Sequence, residues 1–121
     1  MNPVNWFEIP VTDMNRAVNF YSKVFNIELM PMEMPWMKMA SFPMVQDAPN
    51  STGALVQGEG LVPTTEGTTV YFHCGDLEVE LKKIEELGGK ILNPKTPIGE
   101  HGFIAHFVDS EGNRVALHSI K

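Results

Sequence analysis

"FEIPVTDMNRAVNFYSKVFNIEL", residues 7–29, holds a strand pattern followed at once by a helix pattern. Phe7, Ile9 and Val11 alternate with other residues, which predicts a half-buried strand. Asp13 predicts the N-cap of a helix, because its carboxylate can accept a hydrogen bond from the first turn. The apolar residues that follow recur at spacings of three and four, as on one face of a helix. The stretch therefore predicts a strand and a helix that covers one face of a sheet.

The same order returns 63 residues further along the chain, where Asp76 takes the place of Asp13. "TVYFHCGDL" (69–77) matches "WFEIPVTDM" (6–14) in the phase of its apolar residues. A second amphipathic helix pattern follows and ends at two consecutive glycines. The chain therefore reads as an internal repeat of a strand and a helix.

Short segments after each helix pattern are interpreted as strands. They are 27–34, 37–44 and 53–58 in the first half, and about 90–93 with a hairpin over 103–119 in the second half. The turn-rich stretch "NPKTPIGEHG" (93–102), which contains His101, is expected to be an exposed loop. The sequence thus predicts an α+β protein built from tandem βαβββ modules, about 4–58 and about 67–120, in a single domain of 121 residues.

Charge and composition exclude several classes of partner. The chain carries 15 Asp and Glu against nine scattered Lys and Arg, for a net charge of −6, which disfavours nucleic acid. The first residues lack the pattern of a signal peptide, and no apolar run approaches the length of a membrane span. We therefore expect a cytoplasmic protein with neither a membrane nor a nucleic acid as partner. Its single cysteine, Cys74, excludes an internal disulfide.

Strand parity assigns the residues of each sheet to a helix-covered face or to an open face. Cys74 falls on the covered face, so we interpret it as a core residue. The two open faces are expected to meet across a concave cleft. Six polar side chains are placed on these faces: Glu8, Tyr71, His73, His106, Arg114 and His118.

Convergent polar groups in an apolar cleft are typical of a small-molecule site. Glu8, His73 and His118 are candidate catalytic residues, because a histidine near a carboxylate can act as a general acid or base near neutral pH. The arginine can hold a carboxylate or a phosphate. The candidate ligand contacts are Tyr71, His106 and Arg114. The alternative is a polar network between the sheets, or a subunit interface.

"MPMEMPWMKM", residues 30–39, contains five of the eight methionines. Three hypotheses for the role of this run stay open: a soft-metal site, adaptable packing against a partner subunit, and a flexible apolar wall for a ligand. We favour the wall, formed by Met30, Met32 and Met39 together with Trp6. The first three methionines of the run share one parity and the last two share the other. Trp36, in the turn, is expected to act as a lid or stacking platform or simply to pack at the surface.

The opening V-x-D-x-x-x-A-x-x-F-Y (11–21) and the ending D-x-x-G-N-x-x-x-L (109–117) resemble the vicinal oxygen chelate superfamily, which includes lactoylglutathione lyase, extradiol dioxygenases and bleomycin-binding proteins. Within it, the chain is most similar to the branch related to lactoylglutathione lyase. The resemblance covers about residues 4–119. It implies the glyoxalase-like fold with a concave cleft and a homodimer.

The resemblance also implies where metal ligands would lie in metal-dependent members. The positions carried over are Trp6, about Ala54, Thr69 and Ala116, and none of them is a histidine or a carboxylate. We therefore expect no cofactor and no metal at the family position. A displaced divalent site is the alternative, with Glu8, His73, His106 and His118 as its ligands.

These observations predict a small-molecule-binding protein of the glyoxalase/bleomycin-resistance type that lacks the family metal ligands. The alternative is a lyase, isomerase or dioxygenase, metal-dependent or metal-independent, that uses Glu8 and the cleft histidines. The sequence leaves open whether the chain is an enzyme. The expected partners are an unidentified small molecule and a second copy of the chain.

Overall fold

The computed structural model describes residues 2–121, which divide into two compact units. The first ends at Pro63 and the second spans Thr64–Lys121. Each contains one helix and one four-stranded sheet. No helix among residues 2–121 is long and apolar enough to cross a membrane. The predicted α+β class and the tandem βαβββ order are confirmed.

The first unit is built around a central strand. Its elements are β1 (Trp6–Pro10), α1 (Met14–Phe25), β2 (Met30–Met34), β3 (Met37–Ser41) and β4 (Thr52–Gly58). The sheet order is β1-β4-β3-β2, with β4 parallel to β1 and antiparallel to β3. Asp13 caps α1 as predicted, accepting a hydrogen bond from the Arg16 backbone N–H at 3.1 Å. Asn26 ends the helix in the left-handed conformation.

The second unit repeats this plan with different side chains. Its elements are β5 (Tyr71–Cys74), α2 (Leu77–Glu86), β6 (Lys90–Pro97), β7 (Phe103–Val108) and β8 (Arg114–Ser119). The sheet order is β5-β8-β7-β6, so β8 occupies the central place that β4 has in the first unit. Asp76 caps α2 by accepting from the Glu78 backbone N–H at 3.1 Å. The sequence repeat is thus a repeat of topology.

The prediction of a loop from residue 93 onward was wrong in its first part. β6 continues to Pro97, and two shifts in its register against β7, on either side of Asn93, interrupt the ladder. Such irregularities accommodate Pro94, which has no N–H to donate, on a strand at the edge of the sheet. A 3₁₀ turn at Gly99–His101 then leads into β7.

Each helix packs on one face of its own sheet and forms a small core there. In the first unit the fully buried core side chains include Val11, Phe20, Tyr21, Val24 and Leu55. In the second unit they include Leu77, Ile84, Phe107 and Leu117. Gly53 on β4 lies so close to Phe7 that a Cβ there would overlap the Phe7 carbonyl and ring. These covered faces leave the opposite face of each sheet for the candidate site residues.

Candidate functional site

Ala116 lies at the centre of the open face of the second unit. It is fully buried, and it pairs with Tyr71 on β5 and with His106 on β7. Tyr71 Oη lies 3.2 Å from His106 Nε2, and the two rings meet edge to face with centroids 5.8 Å apart. Because these residues flank Ala116 from opposite strands, their contact crosses over its methyl group. A small residue at position 116 leaves room for this Tyr71–His106 bridge.

The two candidate catalytic histidines of this unit are neighbours. His73 on β5 pairs with His118 on β8, and their ring centroids are 6.2 Å apart. His118 Nε2 lies 2.7 Å from the backbone carbonyl oxygen of His101. A carbonyl only accepts, so Nε2 carries the hydrogen, and Nδ1 is the proton-accepting nitrogen of the neutral ring. The side chain of His101 is exposed, as expected, but its carbonyl orients His118.

Arg114 precedes Ala116 on the same face of β8. Its Nη2 donates to Thr69 Oγ1 at 3.0 Å, and its backbone N–H donates to the Thr64 carbonyl at 3.2 Å. Its Nε is buried and has no hydrogen-bond partner among residues 2–121. A buried donor left in this state costs about 1–3 kcal/mol. No acidic side chain of the described chain pairs with this guanidinium.

The sheet of the second unit is free of acidic residues along its strands. β5 to β8, all within the described part of the chain, contain three histidines, one arginine and two lysines but no Asp or Glu, although the chain has 15 acidic residues. One cation, Lys95, is used elsewhere: its Nζ lies 3.1 Å from Asp76 and 4.6 Å from the centroid of the Phe103 ring. The Glu78 backbone hydrogen bond and the Lys95 ammonium together lower the pKa of Asp76. The open face therefore presents donors and positive charge.

The open face of the first unit has a different chemistry around an equivalent alanine. Ala54 on β4 is fully buried and pairs with Glu8 on β1 and Ser41 on β3. Glu8 accepts a hydrogen bond from Trp6 Nε1 at 3.3 Å through its Oε2 atom. The carboxylate that we consider a candidate catalytic group is thus exposed and held by an indole.

All five methionines of the run 30–39 lie on this open face. β2 and β3 pair Met32 with Met39 and Met34 with Met37, because the turn between them has only two residues. The change of parity in the sequence therefore keeps the methionines together. Met30 is 58% exposed and Met32 46% exposed, whereas Met39 packs with Ala54 and Val56. Trp36, 70% exposed, lies in the turn.

The residues at the four positions implied as metal ligands do not fit a divalent cation. The Trp6 indole N–H donates and has no lone pair to offer, and Ala54 and Ala116 carry only methyl groups. The Thr69 hydroxyl accepts from Arg114, whose positive charge opposes a second cation beside it. Among residues 2–121 no group of three or more His, Cys, Asp or Glu side chains is arranged to hold a metal ion.

Cys74 lies on the helix-covered face, as predicted. Its side chain is 4% exposed, and burial, with the carboxylate of Glu80 nearby, raises the pKa of the thiol to about 12. The protonated thiol is the stable form at neutral pH, so Cys74 is a core residue of the second unit.

Two contacts that shape the site could not be read from the sequence. Thr69 and Arg114 are 45 residues apart, and His101 and His118 are 17 apart, so neither pair shares a local motif. The strand parities that place Arg114 and His118 on the open face were predicted correctly. The register of β5, β7 and β8, together with the 3₁₀ turn, brings each residue to its partner. The concave cleft between the sheets stays a prediction.

Comparison with known proteins identifies the family. Residues 4–117 match the family model described as "Glyoxalase/Bleomycin resistance protein/Dioxygenase superfamily". A "Glyoxylase-like domain-containing protein" of Didymella fabae is 29% identical over 123 residues, which cover 94% of this chain and 91% of that protein.

Solved structures share the fold at low sequence identity. A glyoxylase/bleomycin resistance protein/dioxygenase domain from Frankia sp. EAN1pec has a TM-score of 0.76 at 13% identity, with 98% of each chain covered. Glyoxalase I from Zea mays has a TM-score of 0.73 at 24% identity; 98% of this chain is covered, but it spans only 46% of the maize chain. The family match over residues 4–117 settles the classification: the chain belongs to the glyoxalase/bleomycin resistance protein/dioxygenase superfamily.

Proposed function

We propose that this chain is a small-molecule-binding protein of the glyoxalase/bleomycin-resistance type that works without the family metal. The observation that carries the proposal is that the residues at the two implied metal-ligand positions of the second unit are engaged in other contacts. Thr69 is hydrogen-bonded to Arg114, and Ala116 lies beneath the Tyr71–His106 bridge. A metal at these positions would need donors that these residues do not provide.

The open face of the second unit is the proposed polar part of the ligand site. It offers a phenol, three imidazoles and a guanidinium on one side of a single sheet. The exposed thioethers of Met30 and Met32 and the indole of Trp6 are proposed as apolar contacts, because methionine adapts to ligands of different shape. The side chains on the open face of the second unit fit a small organic molecule with polar groups.

A thermal-shift screen of EDTA-treated protein tests the proposal. The panel contains Zn²⁺, Ni²⁺, Mn²⁺, Co²⁺ and Fe²⁺, thiol conjugates, and aromatic acids with their amides. We expect organic compounds to raise the melting temperature without metal, since a ligand at 100 times its Kd adds about 2.7 kcal/mol to stability. Stabilisation by metals alone, or a stoichiometric transition metal in the purified protein, would contradict it.

A metal-independent lyase or isomerase is the second candidate. The observation in its favour is the orientation of His118, whose bond to the His101 carbonyl leaves Nδ1 as a proton acceptor beside His73. Such a base could move a proton on a bound ligand, with Glu8 as the other candidate group. Incubation of each stabilising compound in D₂O separates the two functions. A binder leaves the ligand unchanged, whereas an enzyme converts or deuterates it and loses most of its turnover in His118→Ala and in Glu8→Ala.

We also propose a cytoplasmic homodimer. Each sheet ends in two edge strands, β1 and β2 in one unit and β5 and β6 in the other, and such edges are commonly paired or covered. Light scattering at micromolar concentration should give twice the 13.5 kDa mass of one chain. A mass of 13.5 kDa would contradict the dimer.

A further inference from the structure

The guanidinium of Arg114 lies on an open sheet face without an acidic partner in the described chain. Its only side-chain hydrogen bond is the one from Nη2 to Thr69, and its buried Nε has no partner among residues 2–121. An arginine whose charge no acidic side chain of the described chain balances is suited to an anion that the protein itself does not supply.

The residues around Arg114 add donors. Ala116 separates Arg114 from His118 along β8, and the Tyr71–His106 bridge crosses above that alanine. One of these two groups donates within the bridge, which leaves one N–H or O–H of the pair to donate to an anionic oxygen. No carboxylate occurs on the four strands of this sheet, all of which lie in the described part of the chain. In a protein of net charge −6, this face is therefore a place where an anion meets no repulsion from its own sheet.

We propose that Arg114 binds an oxyanion group of the ligand, either a carboxylate or a phosphate, with the Tyr71–His106 bridge beside it. The inference rests on the proposed function, because it names the chemical class that the open face of the second unit selects. The planar fork of arginine matches both anions, so the chemistry shared by carboxylate and phosphate is what the site recognises.

A purely structural role is the competing explanation. Arg114 fastens the segment before β5 through Thr64 and Thr69, and this alone could account for its position. The two roles differ in what Thr69→Val does. That change removes the acceptor of the Arg114 hydrogen bond and keeps the guanidinium. It therefore weakens a structural contact, but it leaves an anion site its main donor.

The experiment is an NMR titration of the full chain, followed at the Nε–H resonance of Arg114, with sodium benzoate, inorganic phosphate and uncharged benzamide as probes. Arg114→Gln is the test variant and Arg114→Lys retains the charge without the fork. Arg16→Gln is the matched control, because Arg16 also donates from Nη2 to a threonine, Thr12, at 3.2 Å but lies on α1 of the first unit. Thermal melting of each variant reports folding.

We expect benzoate or phosphate to shift the Arg114 resonance saturably and benzamide to leave it unchanged. Backbone amide shifts then report the affinity of each variant. Arg114→Gln should weaken anion binding by about 10-fold or more, as expected for loss of a charge-assisted contact. Arg114→Lys should weaken it by less, while Thr69→Val and Arg16→Gln should stay within about 3-fold of the wild type. The stronger of the two anions identifies the ligand group.

Equal anion affinity in the wild type and in Arg114→Gln would overturn the inference. So would a lack of response to both anions when uncharged compounds from the thermal-shift panel still bind, and in that case the proposed function would stand. Absence of binding by the anions and by every panel compound would overturn both.

Discussion

The two units of this chain share one topology and present two different open faces. In both, a buried alanine lies on the central strand, Ala54 in the first unit and Ala116 in the second. The alanine of the first unit is flanked by Glu8 and Ser41 on a face that carries the five methionines. The alanine of the second unit lies under the Tyr71–His106 bridge on a face without carboxylates. The fold therefore fixes where a site can lie, and the side chains around the central alanine decide its chemistry.

The largest expected effect comes from a glycine at a close approach of two backbone segments in the second unit. Gly102 has φ of +100°, and a Cβ there would overlap the backbone of Ser119. We expect Gly102→Ala to lower the free energy of unfolding by about 2–4 kcal/mol, because it combines backbone strain with a backbone overlap. Urea unfolding measures the loss.

Two further glycines serve as comparison and control for this change. Gly53→Ala in the first unit meets only the overlap with Phe7 and should cost less than Gly102→Ala. Gly75→Ala, with open space at its Cβ, should stay within about 0.5 kcal/mol of the wild type. Equal free energies of unfolding for Gly102→Ala and Gly75→Ala would contradict the close backbone approach at position 102.

The central alanines give the next comparison. Ala116→Leu should lower stability by about 2–3 kcal/mol, because the larger side chain must displace the Tyr71–His106 bridge. Ala54→Leu should cost about 1 kcal/mol, since the neighbouring methionine Met39 can adopt other rotamers. The His106 ring resonances, followed by NMR, should move in Ala116→Leu only. Equal costs for both alanines would show that the bridge adds nothing to packing.

The covered faces differ in pH response. Cys74 occupies the place in the second unit that Val11 has in the first, and the pKa of its thiol is raised to about 12. Below pH 9 the thiol is neutral in the folded and in the unfolded protein. Above pH 9 the thiol of the unfolded chain ionises first, so the free energy of unfolding falls as the pH rises towards 12. At pH 10 we expect the wild type to have lost about 1.4 kcal/mol relative to a Cys74→Val variant.

Urea unfolding of both proteins at pH 7 and pH 10 checks this expectation. Native protein should also react slowly with iodoacetamide at pH 8, since the thiolate is the nucleophile. Parallel pH curves for wild type and variant, or rapid alkylation of the folded protein, would contradict the burial of the thiol.

The smallest expected effect separates the polar contacts of the two open faces. Tyr71→Phe should cost about 1 kcal/mol, the usual value of one hydrogen bond, because its partner His106 then loses its contact. Trp6→Phe removes the longer bond to Glu8, which is exposed whereas His106 is half-buried, and should cost about 0.5 kcal/mol or less. Chemical denaturation resolves the two. A larger loss in Trp6→Phe would assign the greater polar stabilisation to the first unit.

Local patterns predicted most of the fold. Asp13 was recognised as a helix cap, the repeat put Asp76 at the equivalent position, and alternation alone placed Cys74 on the covered face. The continuation of β6 past Pro94 was missed, because proline and turn-forming residues normally end a strand and only its pairing with β7 carries it further.

The candidate site was predictable in its residues and not in their contacts. Strand parity put Arg114 and His118 on the open face, but it does not determine the register between strands that are distant in sequence. The partners Thr69 and the His101 carbonyl depend on that register and on the 3₁₀ turn. The common face of the five methionines depends likewise on a turn of only two residues.

The central claim is that the open face of the second unit binds a ligand without a metal. The most direct test is an NMR titration of EDTA-treated protein with the most stabilising organic compound from the thermal-shift panel, followed at the ring C–H resonances of His73, His106 and His118. We predict saturable shifts of these three histidines in the absence of metal, unchanged when Zn²⁺ is added. Binding that appears only after a divalent metal is restored, or that leaves all three histidines unperturbed, would contradict it.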